Sequence, residues 1–481
     1  MSHTENILGM LSSTIDQRND LMITPPWVAK DMVNLLPEEV WNKDTTFLDP
    51  ACKSGIFLHE IYLKLMETES LIKEFPDKAE RRKHILQNQL YGIALNPMCQ
   101  LTTARTVYGT IKGENNIKLI DNYITIVKNK DTKFFKEAIK EQFGEMKFDV
   151  VIGNPPYQDS NGGGGNSDGG KAIYQLFINK ALDFTSEFVC MITKNTWYRT
   201  RDTGGNKGFN ELKKQLLDDG MIVKVVDFPK YGEVFADVGC AVSYFLADKN
   251  KKDKNYEFIS VIDGKVDSQF KAKTLTKDLI RGEKLTSIAI KSTSPQNMSR
   301  YTISKLAFGI DTTGVFEDSA VRTEVYNTKL ISNRGNSYIN NDNITRNSEL
   351  IDNYKVICTR AVSAWSGKKE NVITSIQLLK PYEVCTGTYS IIYYSSDELS
   401  ARNAEKYIKT MFVRELLRCL IDARGVINGN TFEYVPLQDF TEHSDIDWSQ
   451  SIADIDQQLY KKYNLTDEEI AYIEKTIKPM Q

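Results

Sequence analysis

"FDVVIGNPPY", residues 148–157, is the stretch on which the reading of this chain turns. Val150, Val151 and Ile152 run into Gly153, and an amide, two prolines and an aromatic ring follow. A short apolar run stopped by glycine and proline reads as a buried strand that ends here. Asn154 offers an amide oxygen as an acceptor. Pro155 has no N–H but keeps its carbonyl, while Pro156 fixes its own φ and holds Pro155 extended. The product is a rigid pair of acceptors, the Asn154 side chain and the Pro155 carbonyl, with the Tyr157 ring beside them. Such a corner suits a planar group carrying –NH2: two acceptors for its hydrogens and a ring for its face. The glycine-rich "SNGGGGNSDGG" that follows, residues 160–170, reads either as a loop closing near the bound group or as a plain surface loop.

Outward from this corner, residues 21–248 alternate between short apolar runs and helical patterns. "TTFLDPA" (45–51), "NQLYGIAL" (88–95), "SEFVCMITK" (186–194), "MIVKVVDFP" (221–229) and "VGCAVSYFLAD" (238–248) read as strands. "GIFLHEIYLKLMETESLI" (55–72), "QLTTARTVYGTI" (100–111), "YQLFINKALDF" (174–184) and "GFNELKKQLLDDG" (208–220) carry apolar residues at helical spacing. Strand followed by helix, repeated, predicts an α/β domain: a largely parallel, doubly wound sheet covered on both faces. Ligands of such sheets bind at the carboxyl ends of strands. A second informative strand end is "FLDPACKSGIFL" (47–58), where a turn of small residues leads into a helix and presents backbone N–H groups. Read alone, it is equally an ordinary strand-to-helix turn.

The pattern changes at "DKNKKDKNYE" (248–257), a charged tract that reads as a linker or an exposed turn. Beyond it, residues 249–440 hold irregular strand-like pieces separated by Ser, Asn and Gly clusters, which predicts a mixed α+β region. "TDEEIAYIEKTIK" (466–478) has capping-box spacing between Thr466 and Glu469 and predicts a short helix within an acidic segment, 441–481. Residues 1–20 are expected as a helical extension.

At 481 residues, with 41% apolar and 26% charged residues, the composition is that of a globular protein of two or three domains. The net charge of −3 hides a gradient. Residues 1–248 sum to about −4, 249–435 to about +7 and 436–481 to about −6. A local basic face matters more for phosphate binding than the total. No apolar run reaches the ~18 residues of a membrane span, and the start lacks the pattern of a signal peptide. Seven scattered cysteines predict reduced thiols and a cytoplasmic setting, and four dispersed histidines suggest neither a metal site nor a histidine triad.

"DPACKSG", followed about a hundred residues later by "NPPY", resembles the amino-group DNA methyltransferases. "ITPPWVAKDMVNLL" (23–36) is similar to their N-terminal cofactor motif, and "YGEVFADVGCAVSYFLA" (231–247) to a later one in which an aromatic packs against the target base. This order is the gamma arrangement of adenine-N6 methyltransferases from restriction-modification systems. The resemblance implies a Rossmann-like catalytic domain over 21–248, a target-recognition domain over 249–440, S-adenosylmethionine as methyl donor, and no metal. Asn154, Pro155, Pro156 and Tyr157 would be catalytic, with Tyr157 and Phe235 sandwiching a flipped-out adenine. Thr24, Pro25, Asp49, Ala51, Cys52, Ser54, Gly55, Asp121 and Asn154 would bind the cofactor. Tyr174 and Phe177 are read either as flanking the cofactor adenine or as core. Arg360, Trp365, Lys368, Lys369 and Arg424 are candidate DNA contacts by residue type, each also readable as solvated surface. Double-stranded DNA is the implied partner, with any restriction endonuclease on a separate polypeptide and no membrane.

Two departures from the family pattern carry consequences. Lys53 stands where the family has glycine, which predicts backbone strain if that position needs a positive φ. Ala94 stands where an acid often holds the cofactor ribose. Two rival readings follow. A protein glutamine methyltransferase would use the same corner on a side-chain amide, and a catalytically inactive DNA-binding subunit would fit Lys53 and Ala94.

Overall fold

The computed structural model describes residues 22–158, 171–202, 207–236, 240–274, 278–311, 318–362, 364, 368–421 and 425–480. The chain divides into two compact units, Met1–Leu279 and Ile280–Gln481.

The first unit is built on one sheet of nine strands in the order 3-2-1-4-5-7-6-8-9. The strands are β1 Phe47–Cys52, β2 Leu90–Ala94, β3 Ile117–Leu119, β4 Phe148–Gly153 and β5 Thr185–Lys194, followed by β6 Ile222–Phe228, β7 Val242–Asp248, β8 Asn255–Ile262 and β9 Lys265–Lys273. Strands β1 to β5 pair in parallel, and β7 runs antiparallel between β5 and β6. β1 and β2 are buried at every residue, as a strand covered on both faces must be. The α/β class predicted by the alternation of runs is therefore the fold observed. Four helices concern the site: α1 Pro26–Asn34, α2 Ile56–Met66, α3 Pro97–Tyr108 and α4 Tyr174–Phe184. α1 starts on Pro26, whose missing N–H is free of cost at that position.

The expected boundary after residue 248 is corrected by the sheet itself. β8 pairs in parallel with β6, and β9 pairs with β8, so the sheet of the first unit continues to residue 273. The charged tract is an exposed turn: Asp248 and Asp253 side chains accept the N–H groups of Asn250 and Asn255, and Lys251 donates to the Gly220 and Asp253 carbonyls. A polar composition is common to turns and linkers, and the strand pairing distinguishes them.

The second unit carries small sheets of four, three and two strands and the helices Glu283–Ser292, Glu398–Lys409, Met411–Leu417, Ile452–Lys462 and Asp467–Thr476. The last of these has the expected Thr466–Glu469 capping box. The acidic segment 441–481 is not an appendage. Trp448, Ile455, Leu459, Tyr460 and Ile473 are buried in the same apolar cluster as Phe412 and Leu416. Asp456 is buried too, and its carboxylate accepts the N–H groups of Met411 and Phe412, both at 2.9 Å, at the start of helix Met411–Leu417. The proposed extension over 1–20 lies outside the described residues, and so does the 160–170 loop. None of the seven cysteines is joined in a disulfide. Among the described residues no helix is long and apolar enough to cross a membrane.

Candidate active site at the carboxyl ends of β1 and β4

The two informative strand ends are neighbours, because β4 pairs directly with β1. In β1, just before the irregularity that precedes its carboxyl end, Asp49 is buried and folds back so that its Oδ1 accepts the Ala51 N–H at 3.0 Å. Burial raises its carboxyl from the usual value near 3.8 to about 7; the Ala51 hydrogen bond, Cys52 and the Lys53 charge offset part of that rise. The turn ends on Gly55 with φ of 79°, just before α2, whose first turn has no side-chain cap. A Cβ on Gly55 would stand 3.0 Å from the Thr103 Cα of α3, so glycine is required there for both conformation and space.

Lys53 needs no such conformation. It does not adopt a positive φ, so the predicted strain is absent, and the left-handed residue of the turn is Gly55. Its side chain folds inward, leaving 8% of the residue exposed, and Nζ donates to the Met22 carbonyl at 3.1 Å.

At the end of β4, a Cβ on Gly153 would lie 2.8 Å from Asp49 Oδ1 and 3.2 Å from Pro50 Cδ. The bare glycine lets the two strand ends close on one another. Asn154 follows and is 2% exposed. Its Nδ2 donates to Thr24 Oγ1 at 3.1 Å and to the Met22 carbonyl at 3.3 Å. Its Oδ1 is buried and has no hydrogen-bond partner. An unmatched buried acceptor costs about 1–3 kcal/mol, so this oxygen is held at a cost and is available to a donor. A narrow cavity is lined by Thr24, Asp49, Ala51, Lys53, Ser54, Gly55 and Asn154. Six of the expected cofactor residues therefore share one site.

Three other expected cofactor residues stand apart from that cavity. Cys52 turns its Sγ toward β2, where a Cβ on Gly92 would come within 2.5 Å of it. Pro25 is the residue before α1. Asp121 is exposed just beyond the end of β3, two strands from β1. Ala94 is fully buried, and Asn96, two residues on, is occupied in capping α3 through the Cys99 N–H.

Tyr157 has no exposed surface, its hydroxyl has no partner, and its ring meets Tyr174 edge-on at 5.9 Å. The ring face expected to receive a base is covered. A ring at a strand end gains by burial wherever other rings are near, and here Tyr174 also packs on Phe209 at 5.5 Å. Tyr174 and Phe177 are both buried, and Phe177 packs edge-on to Tyr123. Phe235 is buried in the connection from β6 to β7.

In the second unit, Arg360 is half-buried with its Nε unpartnered, and Lys368 and Lys369 are exposed. Trp365 and Arg424 lie outside the described residues.

Two features of the site were not read from sequence. The Met22 carbonyl is a backbone atom in an irregular segment, for which no sequence signal exists. Gly153 had a signal, a glycine between an apolar run and a diproline, but its partner across the sheet did not.

Residues 88–235 match the Eco57I restriction-modification methylase family. The chain is 32% identical over 296 residues to an uncharacterized adenine-specific methylase of Mycoplasma pneumoniae, a match covering 49% of this chain and 69% of that relative. The fold is similar, at a TM-score of 0.51, to the ATP-dependent type ISP restriction-modification enzyme LlaBIII bound to DNA, with 12% identity over 89% of this chain and 40% of that one. A DrdV–DNA complex gives the same TM-score, with 10% identity over 88% of this chain and 56% of that one. The chain thus spans about half the length of these solved proteins, and identities this low show the fold alone.

Proposed function

We propose a function from one premise, that this chain belongs to the family of adenine-specific restriction-modification methylases: it methylates the exocyclic N6 of adenine in duplex DNA, with S-adenosylmethionine as donor. The observation that carries this reading is the Asn154 amide. Its nitrogen is anchored twice, so its unpartnered oxygen is left to accept from an –NH2 group. The Pro155 carbonyl supplies the second acceptor. The nitrogen lone pair of adenine is delocalised into the ring. Accepting its hydrogens at two fixed points favours a more pyramidal, nucleophilic nitrogen.

The residues of the cavity fit the proposed donor. Asp49 is a buried carboxylate that a cationic ammonium would stabilise, and Ala51, Ser54 and Gly55 let a ligand approach the backbone at a helix start. When bound, S-adenosylmethionine supplies an electrophilic methyl group. The chain's own part is to orient the amine, exclude water and hold it in line, and alignment of this kind accounts for about 7–11 kcal/mol of a barrier. The excess proton leaves after transfer.

Adenine inside a duplex must leave the stack to reach this corner, at a cost of a few kcal/mol. Tyr157 and Phe235 remain the proposed stacking pair, and the cover over Tyr157 must shift for that ring to serve. Residues of the second unit are proposed to read the DNA sequence, with Arg360, Lys368 and Lys369 among the contacts. Two solved proteins of similar fold are complexes with DNA.

The test is transfer of labelled methyl groups to DNA and to total protein in parallel. Label in DNA, recovered as N6-methyladenine, supports the reading. Label in protein alone would favour a glutamine methyltransferase, and DNA binding without cofactor binding would favour an inactive subunit.

A further inference from the structure

Which atom an asparagine side chain presents depends on what holds the other end. The Asn154 nitrogen is held by Thr24 Oγ1 and the Met22 carbonyl. Both belong to the irregular segment before α1. Among the described residues, no backbone–backbone hydrogen bond ties Met22, Ile23 or Thr24 to the rest of the unit. The anchors of the amide therefore rest on a segment with little polar support of its own. Lys53 supplies such support, since its Nζ donates to the same Met22 carbonyl that receives Asn154 Nδ2. One carbonyl oxygen has two lone pairs, and here both are used. Lys53 is on the turn after β1 and Asn154 is at the end of β4, so the shared oxygen ties both strand ends to the entering segment.

We infer that Lys53 is a positioning residue for methyl transfer: by holding the Met22 carbonyl, it fixes the anchors that turn the Asn154 oxygen toward the substrate amine. The inference rests on the proposed function of the site, and it concerns orientation of the amide. Loss of the Lys53 contact loosens residues 22–24, lets the amide rotate, and removes the acceptor from its place in a fraction of molecules. Misplacement on this scale lowers the rate of the chemical step more than it weakens cofactor binding.

The experiment uses Lys53→Met, which keeps the aliphatic stem without the donor, and Lys53→Arg, which keeps a donor. Hydrogen exchange of the peptide containing residues 22–28 is followed in the cofactor-free protein, together with kcat and KM on DNA. In Lys53→Met, exchange accelerates and kcat falls by about tenfold or more, with KM for S-adenosylmethionine within about threefold. Lys53→Arg restores both readouts. Unchanged kcat in Lys53→Met, or a loss carried wholly by KM, overturns the inference. If Lys53→Met does not fold, Lys53→Arg and Lys53→Gln decide: slow exchange with near-normal kcat in both supports it, and a kcat loss with slow exchange overturns it. An inactive Asn154→Ala beside a fully active Lys53→Met sinks this inference alone. An active Asn154→Ala sinks the reading of the site.

Discussion

Lys53 and Asn154, on the ends of two adjacent strands, donate to one carbonyl oxygen, that of Met22, at 3.1 and 3.3 Å. This convergence joins the turn after β1, the corner after β4 and the segment before α1 into one site. Around it, small residues decide what can approach and buried polar groups decide what can bind.

Gly153→Ala should separate the two strand ends. The added methyl would meet Asp49 Oδ1 at 2.8 Å and Pro50 Cδ at 3.2 Å, so the buried Asp49 side chain must shift from its place in the cavity. Overpacking of this kind costs about 1–3 kcal/mol. We expect a lower melting temperature and weaker cofactor binding together, measured by thermal unfolding and calorimetry. Unchanged binding would show that Asp49 does not face the cofactor.

Asp49→Asn should act in opposite directions on stability and binding. Burial raises the Asp49 carboxyl to about 7, above its value in the unfolded chain. The folded protein therefore takes up a proton there more readily than the unfolded chain does. The contribution to stability is fully present below about pH 4 and is lost as pH rises through about 7, amounting to at most roughly 4 kcal/mol. At pH 8 the asparagine variant should melt higher than the parent, and the difference should vanish near pH 4. Cofactor affinity of the parent should fall as pH drops below 7, because a protonated Asp49 cannot pair with an ammonium. In the variant, affinity should be weak and flat with pH.

Tyr157→Phe should stabilise the protein. The hydroxyl is buried without a partner, and removing it relieves a desolvation cost of about 1–3 kcal/mol. The ring remains, so methylation should persist at a comparable rate. Tyr157→Ala should lose both packing and activity. A fall in melting temperature for Tyr157→Phe would mean that the hydroxyl is satisfied in solution.

The chemistry-bearing corners were legible because their signals are local. An apolar run stopped at "NPPY" and another at "DPACKSG" fix where strands end, and parallel sheets put ligands at those ends. What could not be read depended on partners far away in sequence. The strain expected at Lys53 was transferred from a glycine position, whereas the left-handed residue is Gly55. The boundary placed at 248 followed composition, but β8 found an edge on β6 and prolonged the sheet. Tyr157 was expected to offer an open face, whereas its ring packs against Tyr174, seventeen residues on in the sequence. The acidic tail looked separable by charge, while its apolar face is part of the second unit's core.

The central claim is that the unpartnered Asn154 oxygen accepts the amine that becomes methylated. Single-molecule sequencing of DNA from cells expressing the parent chain or Asn154→Ala tests it directly. The parent should leave N6-methyladenine at one recurring sequence, and the variant, though folded and still able to bind S-adenosylmethionine, should lower the mark by about 10²–10³-fold or more. An undiminished mark in the folded variant would contradict the account.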